Sequence, residues 1–258
     1  MSAGASALTL HSLAGMPEVL PGDDLAALLA TALQRAALTP AAHDVLIVAQ
    51  KIVSKAEGRY VELSTVRPQA RALELGAVTG KDARLIELIL AESSAVLRAQ
   101  RDVLIVRHRL GFVMANAGID RSNVGADGAA ERVLLLPQDP DASAAALRAA
   151  LQERCGAACG VIISDSFGRA WRKGVVNIAL GAAGIAALVN RRGERDRAGR
   201  KLEVTEVALG DALAAAAGLL MGEAAEGIPA VLVRGLRLAA AAVPARTLIR
   251  PLAEDLFP

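Results

Sequence analysis

The sequence predicts a mixed α/β protein. Short apolar runs typical of strands recur along the chain, stretches with apolar residues at helical spacing lie between them, and turn-forming residues separate the two. Several predicted strand pairs are too close in sequence for a crossover helix, so a strictly parallel, doubly wound sheet is not required. No repeat, low-complexity tract or interdomain linker is apparent. We therefore expect a single unit over residues 1–258, with two structural lobes as an open alternative.

The first half of the chain opens with LTLHSL, whose alternation predicts a strand. PGDDLAALLATALQRA predicts a helix, because a proline precedes it and acidic residues lie near its positive N-terminal end. Residues Asp44 to Ala49 predict a second strand, which leads into QKIVSKAEGRYVEL with its basic pair and glycine turn. Helical spacing extends from about Arg67 to Ser93, and VLIVRHRLGFVMANAGID then predicts two strands joined by a short polar turn.

In the second half, PQDPDASAAALRAALQER predicts a helix and CGVIISDSFGRAW a buried strand that ends in polar residues. Gly174 to Asn190 is uncharged and at the lower limit for a membrane span, but its glycines and asparagines favour a buried strand and turn. LEVTEVAL predicts a strand, Asp211 to Met221 a helix and IPAVLVRG the final strand. The whole pattern gives alternating α and β elements.

Composition excludes several function classes. Hydrophobic residues make up 53% of the chain and aromatic residues 2%, which leaves little for aromatic stacking platforms of the kind that bind single-stranded nucleic acid. The formal net charge of +2 also argues against a nucleic-acid partner. Cys155 and Cys159 are too few for a zinc site and are interpreted as ordinary thiols. No signal-peptide pattern opens the chain, so we expect a cytoplasmic protein without membrane association.

Two aspartates follow apolar runs inside polar clusters. Asp120 lies in NAGIDRSNVG and Asp165 in SDSFGRAWRKG. The two carboxylates and the Ser166 hydroxyl would form a hard oxygen site suited to Mg²⁺ or Mn²⁺. An aspartate at a strand end also commonly caps a turn, and that alternative stays open.

Basic residues near these aspartates are suited to phosphate. Lys55, Arg169, Arg172 and Lys173 could neutralise a polyphosphate or bind carboxylates. Taken alone, Lys55 is equally compatible with a solvated surface lysine. No Walker-type glycine loop, HExxH, GxSxG or zinc-spaced cluster is present, so a bound nucleotide would be held in an uncommon way.

Four motifs occur in order over nearly the whole chain: VSKAEGR, ANAGIDRSNVG, SDSFGRAWRKG with the following NIALGAAG, and MGEAAEGIPAVLVRG. Together they resemble the coenzyme F420:L-glutamate ligase family. The resemblance implies an unusual two-part, mixed-sheet α/β fold in an intertwined homodimer. It also implies the stand-alone form, without the C-terminal nitroreductase-like domain that some bacterial members carry.

The resemblance further implies a GTP-dependent ligase. Such an enzyme joins L-glutamate to the carboxylate of the lactyl-phosphate tail of a deazaflavin coenzyme precursor and then extends it through a γ-linked glutamate. The metal would be Mg²⁺ or Mn²⁺, with K⁺ as a further candidate ion. Two other hypotheses remain open: a metal-dependent phosphotransferase or phosphatase, and a non-catalytic module that binds a nucleotide or a deazaflavin.

Site residues carry over position by position from the resemblance. Asp120, Asp165 and Ser166 match the metal ligands, and Lys55 and Asn123 match nucleotide contacts. Lys55, Asp120, Asp165 and Arg169 are the catalytic candidates. The remaining GTP-contacting candidates are Met16, Pro17, Glu18, Val19, Gln50, Met221, Gly222, Glu223, Ala224, Ala225, Glu226, Gly227 and Ile228.

Two of these positions depart from the family pattern. Gln50 stands where some members have a small hydroxyl residue that contacts GTP. Glu223 stands where an amide residue is often expected. Both substitutions bear on how the nucleotide is bound.

Overall fold

A computed structural model describes residues 7–121, 131–237 and 240–255. The strands within these ranges are Thr9–Ser12 (β1), Val45–Ala49 (β2), Tyr60–Glu62 (β3), Ser93–Gln100 (β4), Val103–His108 (β5), Val113–Ala115 (β6), Arg132–Leu134 (β7), Gly160–Arg169 (β8), Arg172–Ala183 (β9), Leu188–Asn190 (β10), Glu206–Ala208 (β11) and Ala230–Arg234 (β12). The α-helices are Leu25–Arg35 (α1), Gln50–Ala56 (α2), Ala70–Thr79 (α3), Ala83–Ala91 (α4), Pro140–Cys155 (α5) and Leu209–Met221 (α6).

A five-stranded sheet in the order β1-β12-β2-β8-β9 forms the larger part of the fold. The central strands β2 and β8 are parallel, and every other neighbouring pair in this sheet is antiparallel. Continuous apolar runs in β2, β8 and β12 place side chains in the core on both faces of the sheet. Strand β2 ends at Ala49, opposite Ser164, and its parallel neighbour β8 continues beyond that point to Arg169.

Helices cover both faces of this sheet. Leu46 of β2 packs in one apolar core with Leu29 of α1 and Leu147 of α5. The next residue along β2, Ile47, packs in a second core with Leu213 of α6. The alternation follows the two-residue period of a strand, and it explains why apolar residues fill both odd and even positions.

A smaller second region lies between β2 and β8 in the chain. Helices α3 and α4 pack against the antiparallel sheet β4-β5-β6, with Leu75, Ile86 and Leu104 fully or nearly fully buried between them. Strand β3 follows α2 in the chain and pairs with β7. Val133 of β7 packs in the same core as α3 and α4. This region supplies Asp120, which forms a backbone bridge with Leu134 at the end of β7.

A buried carboxylate fixes strand β9 to the C-terminal segment. Asp141, near the start of α5, accepts hydrogen bonds from the backbone N–H groups of Ala182 at 2.9 Å and Ala245 at 2.8 Å. The backbone approaches α5 closely here, because a Cβ added to Gly181 would lie 2.1 Å from the carbonyl oxygen of Pro140. Only glycine is compatible with that contact, which holds the β8–β9 hairpin in place.

The structure confirms the mixed α/β class and most of the predicted elements. The stretch from Gly174 to Asn190 forms most of β9 together with β10, as expected for a strand and turn. Among the described residues, no helix is both long enough and apolar enough to cross a membrane. Helix α2 (QKIVSKA) was not predicted, and neither were strand β4 (Ser93–Gln100) and the short pair β3-β7. The strand predicted over LEVTEVAL is limited to Glu206–Ala208.

Candidate functional site

A cavity of about 780 Å³ opens at the carboxyl ends of the parallel strands β2 and β8. Its walls come from six parts of the chain, near residues 16–19, 49–55, 114–120, 164–168, 177 and 221–229. The carboxyl ends of parallel strands are the usual place for a ligand in an open α/β sheet, and the volume is in the range of small-molecule sites. The cavity is therefore the candidate functional site.

Most of the predicted site residues meet in this cavity. Those that line it are Met16, Pro17, Glu18, Val19, Gln50, Lys55, Asp120, Asp165, Ser166, Met221, Gly222, Glu223, Ala224, Gly227 and Ile228. Ala225 and Glu226 belong to the same loop but are not among the lining residues, and Glu226 instead accepts a hydrogen bond from the N–H of Ala224 at 2.8 Å. Arg169 is the last residue of β8, and Asn123 lies outside the described residues. The roles assigned to these residues stay predictions.

Asp165 sits in an unfavourable environment for a negative charge. Burial raises the pKa of its carboxyl group to about 7, and the charges of Asp120 and Glu223 add to the increase. The backbone N–H of Ser166 and the charge of Lys51 act in the opposite direction without offsetting it. Three carboxylates therefore influence one another across this part of the cavity, an arrangement that a bound cation would stabilise.

The donor set fits the predicted metal. Two carboxylates and a hydroxyl are hard oxygen ligands, the type that Mg²⁺ and Mn²⁺ prefer, and the repulsion at Asp165 would be relieved by a divalent cation. In the part of the chain that the structure describes, no group of three or more His, Cys, Asp or Glu residues is placed to hold a metal ion. The protein would therefore supply only part of the coordination shell, and phosphate oxygens or water the remainder.

A strained turn delivers Asp120 to the cavity. Asn116, Ala117 and Gly118 all have positive φ angles, of 52°, 54° and 65°. Left-handed conformations cost about 1–2 kcal/mol for each residue other than glycine. A Cβ at Gly118 would lie 2.5 Å from Cε of Met114. The φ angle therefore favours glycine in the NAGID motif, and an added Cβ would also require the Met114 side chain to move.

Two lysines on helix α2 face the site. The Nζ of Lys55 is 3.1 Å from Oε1 of Glu18, and the Lys55 side chain is only 8% exposed. The Nζ of Lys51 is 2.7 Å from Oδ2 of Asp120. Residues four apart share one face of a helix, which explains why both line the cavity. The position of Lys51 beside Asp120 was not predicted from the sequence, because the helix that places the two lysines on one face was not predicted.

Three polar residues without charge also line the cavity. Gln50 is 3% exposed, and its Oε1 accepts a hydrogen bond from the hydroxyl of Ser54 at 2.9 Å. Ser164 is buried, and within the described ranges its hydroxyl has no hydrogen-bond partner. Asn177 on β9 also lines the cavity. Ser164 and Asn177 were not predicted as site residues. Ser164 is the first residue of SDS, and Asn177 is the first residue of the motif NIALGAAG.

Fold and site together define a mixed α/β protein with a carboxylate- and lysine-lined cavity at the ends of two parallel strands. A sequence model of the family described as F420-0:Gamma-glutamyl ligase matches residues 15–235. The chain belongs to this family. The resemblance found in the sequence motifs is thereby confirmed.

Proteins with established names are similar over almost the whole chain. The coenzyme F420:L-glutamate ligase of Methanothermobacter thermautotrophicus is 47% identical over 228 residues, covering 88% of this chain and 89% of its own. That of Methanopyrus kandleri is 47% identical over 244 residues, with 93% of both chains covered. That of Methanocaldococcus jannaschii is 42% identical over 214 residues, covering 83% of this chain and 84% of its own.

Proposed function

We propose that this protein is a ligase that adds L-glutamate to the precursor of coenzyme F420. Its family and the names of its relatives support this activity. The observation that carries the proposal is the cavity, which gathers segments far apart in the chain around Asp120, Asp165 and two lysines. An amide-forming enzyme needs such a site, because it must hold an acid and an amine together while it activates the acid.

The proposed energy source is GTP. A carboxylate is a poor acyl donor because its leaving group would be oxide, so an oxygen of the precursor carboxylate attacks the γ-phosphorus of GTP. A carboxylate O–P bond forms, the bond between the γ-phosphorus and the bridging oxygen breaks, and GDP leaves. The amine of glutamate then attacks the acyl carbon, inorganic phosphate leaves, and the nitrogen loses a proton. The γ-carboxylate of the added glutamate would accept the next residue.

The proposed metal ligands are Asp120, Asp165 and Ser166. A bound Mg²⁺ or Mn²⁺ would offset negative charge on the phosphate oxygens, and K⁺ is a further candidate ion. Asp165 fits this role because its environment disfavours an uncompensated carboxylate. Asp120 forms an ion pair with Lys51, and a bound metal would share the carboxylate with this lysine or replace it.

The remaining residues position the substrates. Lys55 and Lys51 would offset the charge that develops on the transferred phosphoryl group, together with Arg169. The stretch from Met16 to Val19 and the loop from Met221 to Ile228 would enclose the nucleotide, with Gln50 and Asn123 as further contacts. No protein nucleophile is required, since the phosphate supplies the leaving group.

Product analysis tests the proposal directly. The purified protein is incubated with GTP, L-glutamate, Mg²⁺ or Mn²⁺ and the glutamate-free coenzyme precursor, and the product is examined by mass spectrometry. We expect one glutamate and then a second to be added, with one GDP and one phosphate released per amide. ATP in place of GTP should support a slower reaction.

Two other functions give different results in the same assay. A metal-dependent phosphatase or phosphotransferase would release phosphate without glutamate and form no amide. A binding module would bind the nucleotide or the deazaflavin by calorimetry and turn neither over. A homodimer and a cytoplasmic location stay predictions, and sedimentation of the purified protein checks the first.

A further inference from the structure

Trp171 lies at the tip of the β8–β9 hairpin and is 88% exposed. It is the single tryptophan of a chain in which aromatic residues make up 2%. Two of the three phenylalanines, Phe112 and Phe167, are buried against each other, with ring centroids 5.9 Å apart. The most costly side chain to expose is thus placed in solvent, in a protein that uses aromatic rings sparingly.

The backbone at Trp171 is also unfavourable. Arg169 pairs with Arg172, so Ala170 and Trp171 form a two-residue loop, and Trp171 has a φ of +64°. Glycine or asparagine would occupy such a position at little cost, whereas a bulky residue there is an outlier. The geometry of the turn does not favour a tryptophan at this position. Backbone strain together with exposed apolar surface commonly marks a binding position.

The hairpin connects Trp171 to the cavity. Asp165, Ser166, Phe167 and Gly168 all line the cavity from β8, and Trp171 follows three residues after Gly168. Strand geometry limits the distance from Gly168 to Trp171 to roughly 10 Å and that from Asp165 to roughly 20 Å. Trp171 is not among the lining residues, so it lies outside the cavity but within reach of the lining residue Gly168.

The coenzyme precursor has the matching arrangement. Its planar deazaflavin ring and its reacting carboxylate lie at opposite ends of the molecule, so the ring must be held at a distance from Asp120 and Asp165. Two exposed cationic residues, Arg172 and Lys173, follow the tryptophan directly. Their positive charges would attract the phosphate of the tail in a precursor whose ring lies on the tryptophan.

We propose that Trp171 is the stacking surface for the deazaflavin ring and so determines which acid substrate the enzyme accepts. The inference rests on the proposed function, because it names the position of that substrate. A planar ring on an indole face is stabilised by stacking, and loss of one such contact lowers affinity about tenfold.

The unique tryptophan makes the test direct. Indole fluorescence of the protein reports on Trp171 alone, and titration with the glutamate-free precursor should quench it saturably, with free tryptophanamide as the correction for absorbed light. Trp171→Gly should raise the KM for the precursor about tenfold, with a much smaller effect on kcat and on the KM for GTP. Trp171→Phe should restore most of the affinity.

The variant is chosen so that the fold stays intact. Glycine suits a φ of +64°, and Trp171→Gly should therefore be as stable as the parent protein in urea unfolding. Val204→Ala, at another residue that is 80% exposed, is the matched control and should leave the KM unchanged.

The outcomes separate the two proposals. If the parent protein forms no glutamyl product, the proposed function fails. If the parent protein does form the product, two results would overturn only the present inference. One is a Trp171→Gly variant that keeps the parent KM for the precursor, and the other is a titration that leaves indole fluorescence unquenched. Either result would mean that the ring lies elsewhere. A change in molar mass on Trp171→Gly would assign the residue to a subunit contact and would also overturn it.

Discussion

Two carboxylates with little solvent exposure, Glu92 and Asp165, have opposite electrostatic environments. Glu92 lies beside Arg109 at 3.1 Å, Arg59 at 3.3 Å and His108 at 3.5 Å. The adjacent His108 ring and the charges of the two arginines lower the pKa of Glu92 to about 2. Burial and neighbouring carboxylates instead raise the pKa of Asp165 to about 7.

The tautomer of His108 explains part of the Glu92 cluster. The backbone N–H of Leu110 donates to Nδ1 of His108 at 3.0 Å, so the neutral ring carries its proton on Nε2, toward Glu92. The two arginines beside Glu92 are positively charged, and the neutral His108 ring has its N–H on the side of Glu92. These groups stabilise the negative charge of Glu92 in the folded protein. At Asp165 the fold does not compensate the charge to the same extent. The first carboxylate is neutralised within the fold, and the second has the environment expected of the proposed metal ligand.

The largest effect is expected from removing the carboxylates at the site. Asp120→Ala and Asp165→Ala should each lower turnover by at least about a thousandfold, because each removes a charge next to the reacting phosphate. Both variants should remain folded, since these charges stabilise the native state little or not at all. The measurements are the rate of glutamylation at saturating Mg²⁺ and the circular dichroism spectrum.

The assignment of the metal ligands can be tested separately by measuring metal binding. Mn²⁺ binding, followed by electron paramagnetic resonance in the presence of GDP, should weaken in both variants. Asp196→Ala, in the exposed loop after β10, is the control and should change neither the rate nor Mn²⁺ binding. A near-parent rate in either site variant would show that the metal assignment is wrong.

The second effect is on stability. Glu92→Gln should lower the free energy of unfolding by about 2 kcal/mol, because it leaves Arg59, Arg109 and His108 without their shared anion in a partly buried cluster. Urea unfolding at neutral pH measures it. Glu194→Gln is the control, because its ion pair with Arg191 is about half exposed on both sides and should matter much less. Below the unfolding transition, the turnover of Glu92→Gln should stay close to that of the parent.

The same cluster predicts an acid dependence. The pKa of Glu92 is lowered in the folded protein, so its contribution to stability is present above the unfolded value of about 4.3 and is lost as the pH falls toward about 2. The parent protein should lose stability across this window. Glu92→Gln should lose less over the same range, and parallel curves for the two proteins would contradict the assignment.

A smaller effect is expected at the strained turn before Asp120. Gly118→Ala should cost roughly 1–2 kcal/mol, because alanine is strained at a φ of +65° and its Cβ would meet Met114 and Leu136. It should also lower kcat by displacing Asp120. Gly156→Ala is the matched control: its φ is +75°, but no atom lies within 4 Å of the added Cβ, so only stability should fall. A kcat equal to that of the parent would mean that Asp120 is positioned independently of the turn.

Sequence reasoning located most of the site but not its internal contacts. Asp120 and Asp165 could be identified because each follows an apolar run and belongs to a recognisable motif. That they influence one another could not be deduced, because Asp120 comes from the smaller region, where it forms a bridge with Leu134 of β7, and Asp165 comes from the five-stranded sheet. A pairing between segments distant in the chain depends on tertiary packing, which local patterns do not encode.

Short or irregular elements were the ones that sequence patterns missed. Helix α2 has only seven residues and begins directly at the end of β2, so its apolar period was too short to recognise. Strand β4 is exposed along much of its length and contains two register shifts, which disturb the alternation of a strand. The role of Lys51 and the environment of Glu92 both depend on these elements, so they became visible only in the structure.

The smallest effect is expected at Gln50, where the chain departs from the family pattern. Its side-chain oxygen accepts a hydrogen bond from Ser54, which holds the amide at the cavity wall. We predict that Gln50→Ser changes the KM for GTP by about threefold and kcat less, because a contact made equally in the ground state and the transition state acts on binding. Ser54→Ala is the control: it removes the hydroxyl that orients Gln50 but keeps the amide, so a smaller change in the same direction is expected. Steady-state kinetics with GTP and ATP decide the matter. An unchanged KM for GTP in Gln50→Ser means that Gln50 does not touch the nucleotide, and a parent protein that prefers ATP overturns the assignment of GTP.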